Sequence, residues 1–141
     1  MKFKGYLATH FFNEAGFQWT EKIAKRIRKE TNLVLYVPQE NDEINDKEDV
    51  TAEITDIDIA EADNKYLYES NILIASLDGV EIDSGVSAEI GYFSGLMRAE
   101  SVHCVNPRPR IIIGLYTDMR QDGEGVHGYY INLYTKGLAN M

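Results

Sequence analysis

The fold of this chain is indicated most clearly by the segment Ile72-Leu73-Ile74-Ala75-Ser76-Leu77. It is a continuous run of strand length and almost wholly apolar, which is typical of a β-strand buried on both faces. Strands of this kind occur in parallel sheets that helices cover on both sides. The sequence on either side should therefore supply further strands in alternation with helices.

The rest of the chain has that alternation. Strands are predicted at residues 2–9, 33–37 and 111–115, and helices at 16–30, at 50–70 in one or two pieces, at 85–99 and near 129–136. Alternating strands and helices imply right-handed crossovers and a parallel sheet. We therefore expect an α/β fold, a flavodoxin-like doubly wound parallel sheet of four to five strands flanked by helices.

Apolar spacing predicts the inward face of each helix. The predicted inward residues are Phe17, Ile23, Ala24 and Ile27 in the first helix, Ile54, Ile57 and Ala60 in the second, and Val86, Ile90, Phe93 and Met97 in the third. Asp83 or Ser84 is expected to cap the third helix. The strand at 111–115 is expected to be buried like the strand at 72–77.

Composition limits the functions open to the chain. A length of 141 residues suits a single domain over residues 1–141. The net charge of -9 argues against nucleic-acid binding, which needs clustered cations, and against substrates with several phosphates. The largest group of basic residues lies on the first helix, where five of the 14 Lys and Arg residues are expected to form a solvated face.

The sequence also carries signals of location. No apolar run is long enough to cross a bilayer, and the first residues lack the layout of a signal peptide. The single cysteine, Cys104, has no partner for an internal disulfide, which suits a reducing compartment. We therefore expect a cytoplasmic protein that does not bind membranes.

The segment Asp83-Ser84-Gly85-Val86-Ser87-Ala88-Glu89-Ile90-Gly91 carries the chemistry. In doubly wound folds ligands bind beyond the carboxyl ends of the strands, where this segment begins. Asp83 precedes a helix and Glu89 lies in its first turns, so both carboxylates can face one cleft. An ionised, positioned carboxylate is what a retaining glycosyl transfer needs as a nucleophile, and a second, neutral acid must protonate the leaving group.

A simpler interpretation of this segment stays open at this point. Asp83 fits an ordinary helix cap and Glu89 an ordinary glutamate of a first helical turn, and the pattern alone favours that interpretation. Gly85 fits either close approach of the backbone to a ligand or tight packing. No dinucleotide fingerprint, phosphate loop or metal-ligand spacing of histidines is present, so we expect no metal and no organic cofactor.

Four motifs together resemble the nucleoside 2-deoxyribosyltransferase family over nearly the whole chain. They are Tyr6 in the first strand, Ala62-Asp63-Asn64, Asp83 with Glu89 and Gly91, and Tyr130-Ile131-Asn132-Leu133. They stand in the family's order and at its spacing. The resemblance implies an enzyme of nucleotide salvage, a pentosyltransferase that breaks the N-glycosidic bond of 2'-deoxyribonucleosides and passes the sugar to a free nucleobase.

The resemblance implies a role for each matched residue. Glu89 matches the nucleophile that forms a covalent deoxyribosyl intermediate, Tyr6 the tyrosine that orients it, and Asp63 the acid near the departing base. Asp83 matches a carboxylate that contacts the substrate. Asn132 matches an asparagine that enters the neighbouring subunit's site and binds the 5'-hydroxyl end of the sugar, which implies a homo-oligomer with shared active sites.

Other features bear on the pocket. Phe11 and Phe12 lie near motif positions and are candidates to sandwich the base, with core packing as the equal alternative. The chain ends at Met141, nine residues after Asn132, whereas members of the family usually continue with a further strand and helix. It is therefore expected to be a short variant of the domain or one without those C-terminal elements.

Two alternative functions remain at the level of sequence. One is an N-glycoside hydrolase of deoxynucleosides or their 5'-monophosphates, which uses water as acceptor and can also be a side activity of a transferase. Asp83 beside the predicted sugar site favours a neutral nucleoside over a phosphorylated one. The other is a non-catalytic nucleotide-sensing domain.

Overall fold

A computed structural model describes residues 2–42, 54–118 and 133–139. The strands are β1 (Lys4–Ala8), β2 (Val34–Tyr36), β3 (Ile72–Ser76) and β4 (Ile111–Leu115). The α-helices are α1 (Glu14–Glu30), α2 (Asp56–Glu69), α3 (Ser84–His103) and α4 (Leu133–Ala139), with a 3-10 turn at Pro38–Glu40. The start of the second predicted helix and residues 129–132 of the last one lie outside the described residues.

The four strands form one parallel sheet in the order β2-β1-β3-β4. The order doubles back between β1 and β3, which is the arrangement of a doubly wound sheet. The predicted flavodoxin-like α/β fold is confirmed, with four strands among the described residues. The central strand β3 is buried along nearly its whole length, as its apolar sequence predicts.

Two apolar cores lie on opposite faces of the sheet. On one face α1 packs on the sheet through residues that include Leu7, Ala24, Leu35 and Ile74. On the other face Val86, Ile90 and Phe93 of α3 and Leu67 of α2 pack against Tyr6, Leu73 and Ala75. The predicted inward face of α3 is therefore confirmed, and Met97 also packs on this core.

The prediction that Phe17 points into the core is wrong, because its side chain is 47% exposed. Small residues make the close contact instead: Gly16, Thr20 and Ala24 are the buried residues of α1. A side chain at position 16 would place its Cβ 2.0 Å from the carbonyl oxygen of His10. The helix therefore approaches the loop after β1 through glycine, and the larger Phe17 is turned outward.

The prediction for the inward face of α2 is also wrong. Ile54, Ile57 and Ala60 are exposed, and Ile57 is exposed by 64%. Thr55 caps the helix, and its inner face carries Asp63, Tyr66 and Leu67 instead. Because Asp63 is polar, a search for regularly spaced apolar residues does not detect the inner face of α2.

The strand β4 is less buried than predicted. Ile111 and Ile113 are 52% and 41% exposed, while Ile112 packs on the core below α2 and α3. Among the described strands β4 is an edge strand, so it has a neighbour on one side only. An apolar run therefore identifies the strand correctly but not its place in the sheet.

Candidate active site

A cavity of about 420 Å³ opens where β1 and β2 end and α3 begins. This position, beside the point where the strand order reverses, is where doubly wound folds bind ligands. Its walls combine aromatic rings, small apolar groups and three carboxylates. The lining residues are Thr9, Phe11, Phe12, Tyr36, Pro38, Ile59, Asp63, Asp83, Gly85, Val86 and Glu89.

Glu89 lies on the second turn of α3 and faces this cavity. Its Oε1 accepts a hydrogen bond of 2.5 Å from the hydroxyl of Tyr6. Burial is the main reason that the pKa of Glu89 rises to about 7; the Tyr6 hydrogen bond opposes the rise, and the charges of Asp63 and Asp83 add to it. The side chain therefore exchanges its proton near neutral pH while its orientation is fixed.

Tyr6 is wholly buried in β1, and its hydroxyl is the donor that holds Glu89. Burial, followed by the negative charges of Glu89 and Asp63, raises the pKa of Tyr6 far above its usual range. The hydroxyl therefore remains a hydrogen-bond donor at every physiological pH. Because the ring is packed in the core, it gives the Glu89 carboxyl group a rigid support.

Asp63 lines the cavity from α2, the helix that packs beside α3 on the same face of the sheet. Burial raises the pKa of Asp63, and a hydrogen-bonding interaction with Tyr6 works against that rise. Tyr6 thus lies between the two carboxyl groups. A carboxyl whose pKa is raised by burial is better suited to give a proton to a leaving group than a solvent-exposed one.

Asp83 is the N-cap of α3, as predicted. Its Oδ1 accepts hydrogen bonds from the backbone N–H groups of Gly85, at 2.9 Å, and Val86, at 3.2 Å. Gly85 also lines the cavity, and a Cβ there would lie 3.1 Å from Asp83 Oδ1. The cap therefore fixes the carboxylate at the cavity wall, at the positive end of the helix.

The loop that leads to Asp83 is itself held in place. Asp78 accepts hydrogen bonds from the backbone and the hydroxyl of Thr117, each at 2.5 Å, and from the backbone N–H of Asp118 at 2.9 Å. Gly79 follows with φ of +118°, a conformation that favours glycine. The loops after β3 and β4 are therefore joined beside the cavity.

Phe11 and Phe12 stand at the cavity wall with their rings stacked on one another, 4.8 Å between centroids. Phe12 is 80% exposed, and neither ring belongs to the two apolar cores. Their apolar faces are thus presented at the cavity rather than used to build the core.

The structure brings together Tyr6, Asp63, Asp83 and Glu89, which the sequence names from positions up to 83 residues apart. Asn132 lies outside the described residues, so its predicted role stays a prediction. Sequence reasoning missed Tyr36, Ile59 and Val86 as cavity residues. Tyr36 could have been predicted as a cavity residue, because it is the last residue of β2 and ligands bind at the ends of strands in such folds.

The sequence matches the profile of the nucleoside 2-deoxyribosyltransferase family over residues 6–133. The chain belongs to the nucleoside 2-deoxyribosyltransferase family. Membership makes it a glycosyltransferase-type enzyme that acts on nucleosides, with nucleosides and nucleobases as its small-molecule substrates.

Solved structures of similar proteins share the fold of this chain. A conserved protein from Enterococcus faecalis V583 is 31% identical, with a TM-score of 0.78 over 99% of this chain and 87% of that one. A 2-desoxiribosyltransferase from Leishmania mexicana is 17% identical, with a TM-score of 0.63 over 96% of this chain and 85% of that one. A 2-deoxyribosyltransferase from Bacillus psychrosaccharolyticus is 17% identical, with a TM-score of 0.57 over 82% and 75%. No curated protein matches the sequence.

The described part of this deoxyribosyltransferase-family chain has neither a group of metal ligands nor a membrane-spanning helix. Within residues 2–42, 54–118 and 133–139, no three side chains of His, Cys, Asp or Glu are grouped so that they could hold a metal ion. In the same part of the chain, no helix has the length and apolar character needed to cross a membrane.

Proposed function

We propose that this chain is a nucleoside 2-deoxyribosyltransferase that exchanges the base of a 2'-deoxyribonucleoside through a covalent deoxyribosyl-Glu89 intermediate. One observation carries the proposal. The hydroxyl of Tyr6 donates a hydrogen bond of 2.5 Å to Glu89 Oε1 at the wall of a cavity that Asp63 and Asp83 also line. This is a positioned carboxylate with a second carboxyl beside it whose pKa is raised by burial.

In the first half of the reaction Glu89 attacks the anomeric carbon. A bond forms between that carbon and a Glu89 carboxylate oxygen, and the glycosidic C–N bond breaks with its electron pair going to the base. Asp63 gives its proton to the departing base, which leaves as a neutral molecule. The sugar is then held on the enzyme as an ester.

In the second half an incoming base reverses these steps. A ring nitrogen of that base bonds to the anomeric carbon, the ester C–O bond to Glu89 breaks, and the proton that the nitrogen loses returns to Asp63. A 2-deoxy sugar lacks the electron-withdrawing hydroxyl beside the anomeric carbon, so its oxocarbenium-like transition state forms more easily. A carboxylate and a proton donor therefore suffice for the chemistry.

The remaining cavity residues would bind the substrate. Asp83 would contact the sugar and base, with Gly85 leaving room for close approach, and the rings of Phe11 and Phe12 would stack on the base. Three carboxylates at the cavity wall disfavour a 5'-phosphate, so the substrate proposed is the neutral nucleoside. Asn132 of a neighbouring subunit would bind the 5'-hydroxyl, as the family resemblance implies, in a homo-oligomer.

The test is to incubate the protein with deoxyinosine and free adenine and to separate the products by chromatography. The proposal predicts new deoxyadenosine together with hypoxanthine. Free deoxyribose without a new nucleoside would mean hydrolysis, and binding without any product would mean a sensor domain; either result would contradict the transferase. Replacing Glu89 by Ala should abolish exchange, whereas replacing the exposed Glu61 by Ala should leave it unchanged.

A further inference from the structure

Tyr36 occupies a part of the cavity wall to which the proposed chemistry gives no role. It is the last residue of β2, and its half-buried side chain lines the cavity. Its ring stacks on that of Tyr66, with centroids 3.6 Å apart and an angle of 11° between the planes. It also lies against the ring of Tyr6, at 5.3 Å and 43°. Contacts on both sides therefore fix the ring.

The hydroxyl of Tyr36 is oriented as a donor. Its oxygen accepts a hydrogen bond of 3.0 Å from the side-chain amide nitrogen of Asn41. A tyrosine hydroxyl can donate one hydrogen bond and also accept hydrogen bonds. Asn41 donates to the Tyr36 oxygen, so the hydroxyl hydrogen is not used in this contact. Among the residues that the structure describes, no group accepts the hydrogen, so it is free for a ligand.

The same hydroxyl lies within the field of the reacting groups. Burial raises the pKa of Tyr36 to about 12; the Asn41 hydrogen bond opposes the rise, and the charges of Asp63 and Glu89 add to it. The hydroxyl therefore keeps its hydrogen at physiological pH. The carboxylates of the cavity can only accept hydrogen bonds when ionised, so Tyr36 adds a donor to the wall.

We propose that Tyr36 donates a hydrogen bond to an acceptor atom of the nucleobase and that Asn41 is the positioning residue that orients its hydroxyl. This inference rests on the proposed function, in which the sugar lies over Glu89 and the base beside Asp63. Tyr66, on which Tyr36 stacks, follows Asp63 by three residues on α2 and so lies on the same face of the helix. Tyr36 is thus on the side of the cavity where the base would lie.

The first test is the Tyr36→Phe variant, which keeps both ring contacts and removes only the hydroxyl. With a panel of purine and pyrimidine deoxynucleosides, kcat/KM should fall about tenfold for the bases that use the hydroxyl, the value of one hydrogen bond, and less for the others. The preference for a 2'-deoxynucleoside over its 2',3'-dideoxy analogue should not change. Tyr66→Phe, which keeps the stacked ring, is the control and should behave like the natural protein.

The second test turns the orienting donor into an acceptor. In Asn41→Asp the carboxylate should draw the Tyr36 hydrogen away from the substrate and reproduce the base-dependent loss. The double variant Tyr36→Phe with Asn41→Asp should lose no more than Tyr36→Phe alone, because the two changes remove the same interaction. Additive losses would contradict the assignment of Asn41.

Other outcomes would overturn the inference. Unchanged kcat/KM for every base in Tyr36→Phe would remove the proposed hydrogen bond. An equal loss for every base, with an altered preference between deoxy and dideoxy sugars, would assign the hydroxyl to the sugar instead. If the natural protein exchanges bases and Tyr36→Phe does so equally well, only this inference fails; if the natural protein exchanges none, the proposed function fails.

Discussion

At the scale of single residues, the hydroxyl of Tyr6 connects the sheet core to the two carboxyl groups that are proposed to react. Its ring is wholly buried, its oxygen donates to Glu89, and it also interacts with Asp63. The hydrogen bond favours the ionised form of Glu89 against burial, which favours the neutral form. The balance of these two effects sets the pH at which Glu89 becomes ionised and thus available as the proposed nucleophile.

Removing that hydroxyl should therefore move the pH dependence. In Tyr6→Phe the pKa of Glu89 should rise above its value of about 7, because the interaction that lowers it is lost. Since attack needs the ionised carboxylate, the acid limb of kcat/KM against pH should shift to higher pH. Tyr66→Phe is the control, and its acid limb should stay in place; a shift to lower pH in Tyr6→Phe would contradict this account.

The raised pKa of Glu89 also predicts a cost in stability. A carboxyl whose pKa is higher in the folded state than in the unfolded chain destabilises the fold progressively as pH rises from the unfolded value, 4.5, to the folded value, here about 7, and by a constant amount above it. Glu89→Gln should therefore be more stable than the natural protein at pH 8, by roughly 1–3 kcal/mol, and about equal at pH 4, below the unfolded pKa of 4.5.

Chemical denaturation at those two pH values measures this difference. The control is Glu61→Gln, on the exposed face of α2, which should change little at either pH. If Glu89→Gln and the natural protein were equally stable at pH 8, the ionised Glu89 carboxylate would not destabilise the fold, which would contradict the prediction.

At the scale of elements, the start of α3 both caps a helix and builds the cavity. Asp83 accepts two backbone hydrogen bonds and stands at the cavity wall, and Glu89 follows on the second turn. The helix thus fixes the separation of two carboxylates. Any change at Asp83 should affect stability and catalysis by different routes.

The variants Asp83→Ala and Asp83→Asn separate those routes. Asparagine keeps the capping oxygen, so stability should be nearly unchanged, whereas alanine should cost about 1 kcal/mol. Both remove a charge that raises the pKa of Glu89, so both should move the acid limb to lower pH, opposite to Tyr6→Phe. Thermal unfolding and kcat/KM against pH measure the two effects. Equal losses of stability in both variants would contradict the cap.

The sequence predicts some elements better than others for physical reasons. The helix α3 follows from its cap and its apolar spacing, both of which are local. The inner face of α2 does not, because Asp63 interrupts its apolar stripe with a residue that serves the cavity. The exposure of β4 depends on its place at the edge of the sheet, and that of Phe17 on how closely α1 packs on the loop after β1. Both depend on distant parts of the chain, so the local sequence does not reveal them.

At the scale of the whole molecule, the sheet order brings the site together. The strand ends of β1 and β2 contribute Thr9 and Tyr36, while α2 and α3 bring Asp63 and Glu89. Through the family resemblance the sequence names Asp63 and Glu89, but not Thr9 or Tyr36. The distances between the site residues, and their pKa values, can be obtained only from the folded structure. Tyr6 and Glu89, for example, are 83 residues apart in the chain but hydrogen-bonded in the fold.

The proposed sharing of sites between subunits is testable by complementation. Glu89→Ala and Asn132→Ala should each be inactive alone. Mixed and allowed to exchange subunits, they should regain part of the activity, because some sites then combine an intact Glu89 with an intact Asn132. A mixture that stays inactive although native mass spectrometry shows mixed oligomers would contradict shared sites.

Intact-protein mass spectrometry after rapid quenching tests the covalent role of Glu89 most directly. With a deoxynucleoside and no acceptor base, the natural protein should gain the mass of deoxyribose less one water. Peptide mapping should place that gain on Glu89, and Glu89→Gln should show none. A protein that exchanges bases without this adduct, or that carries it on another residue, would contradict the mechanism.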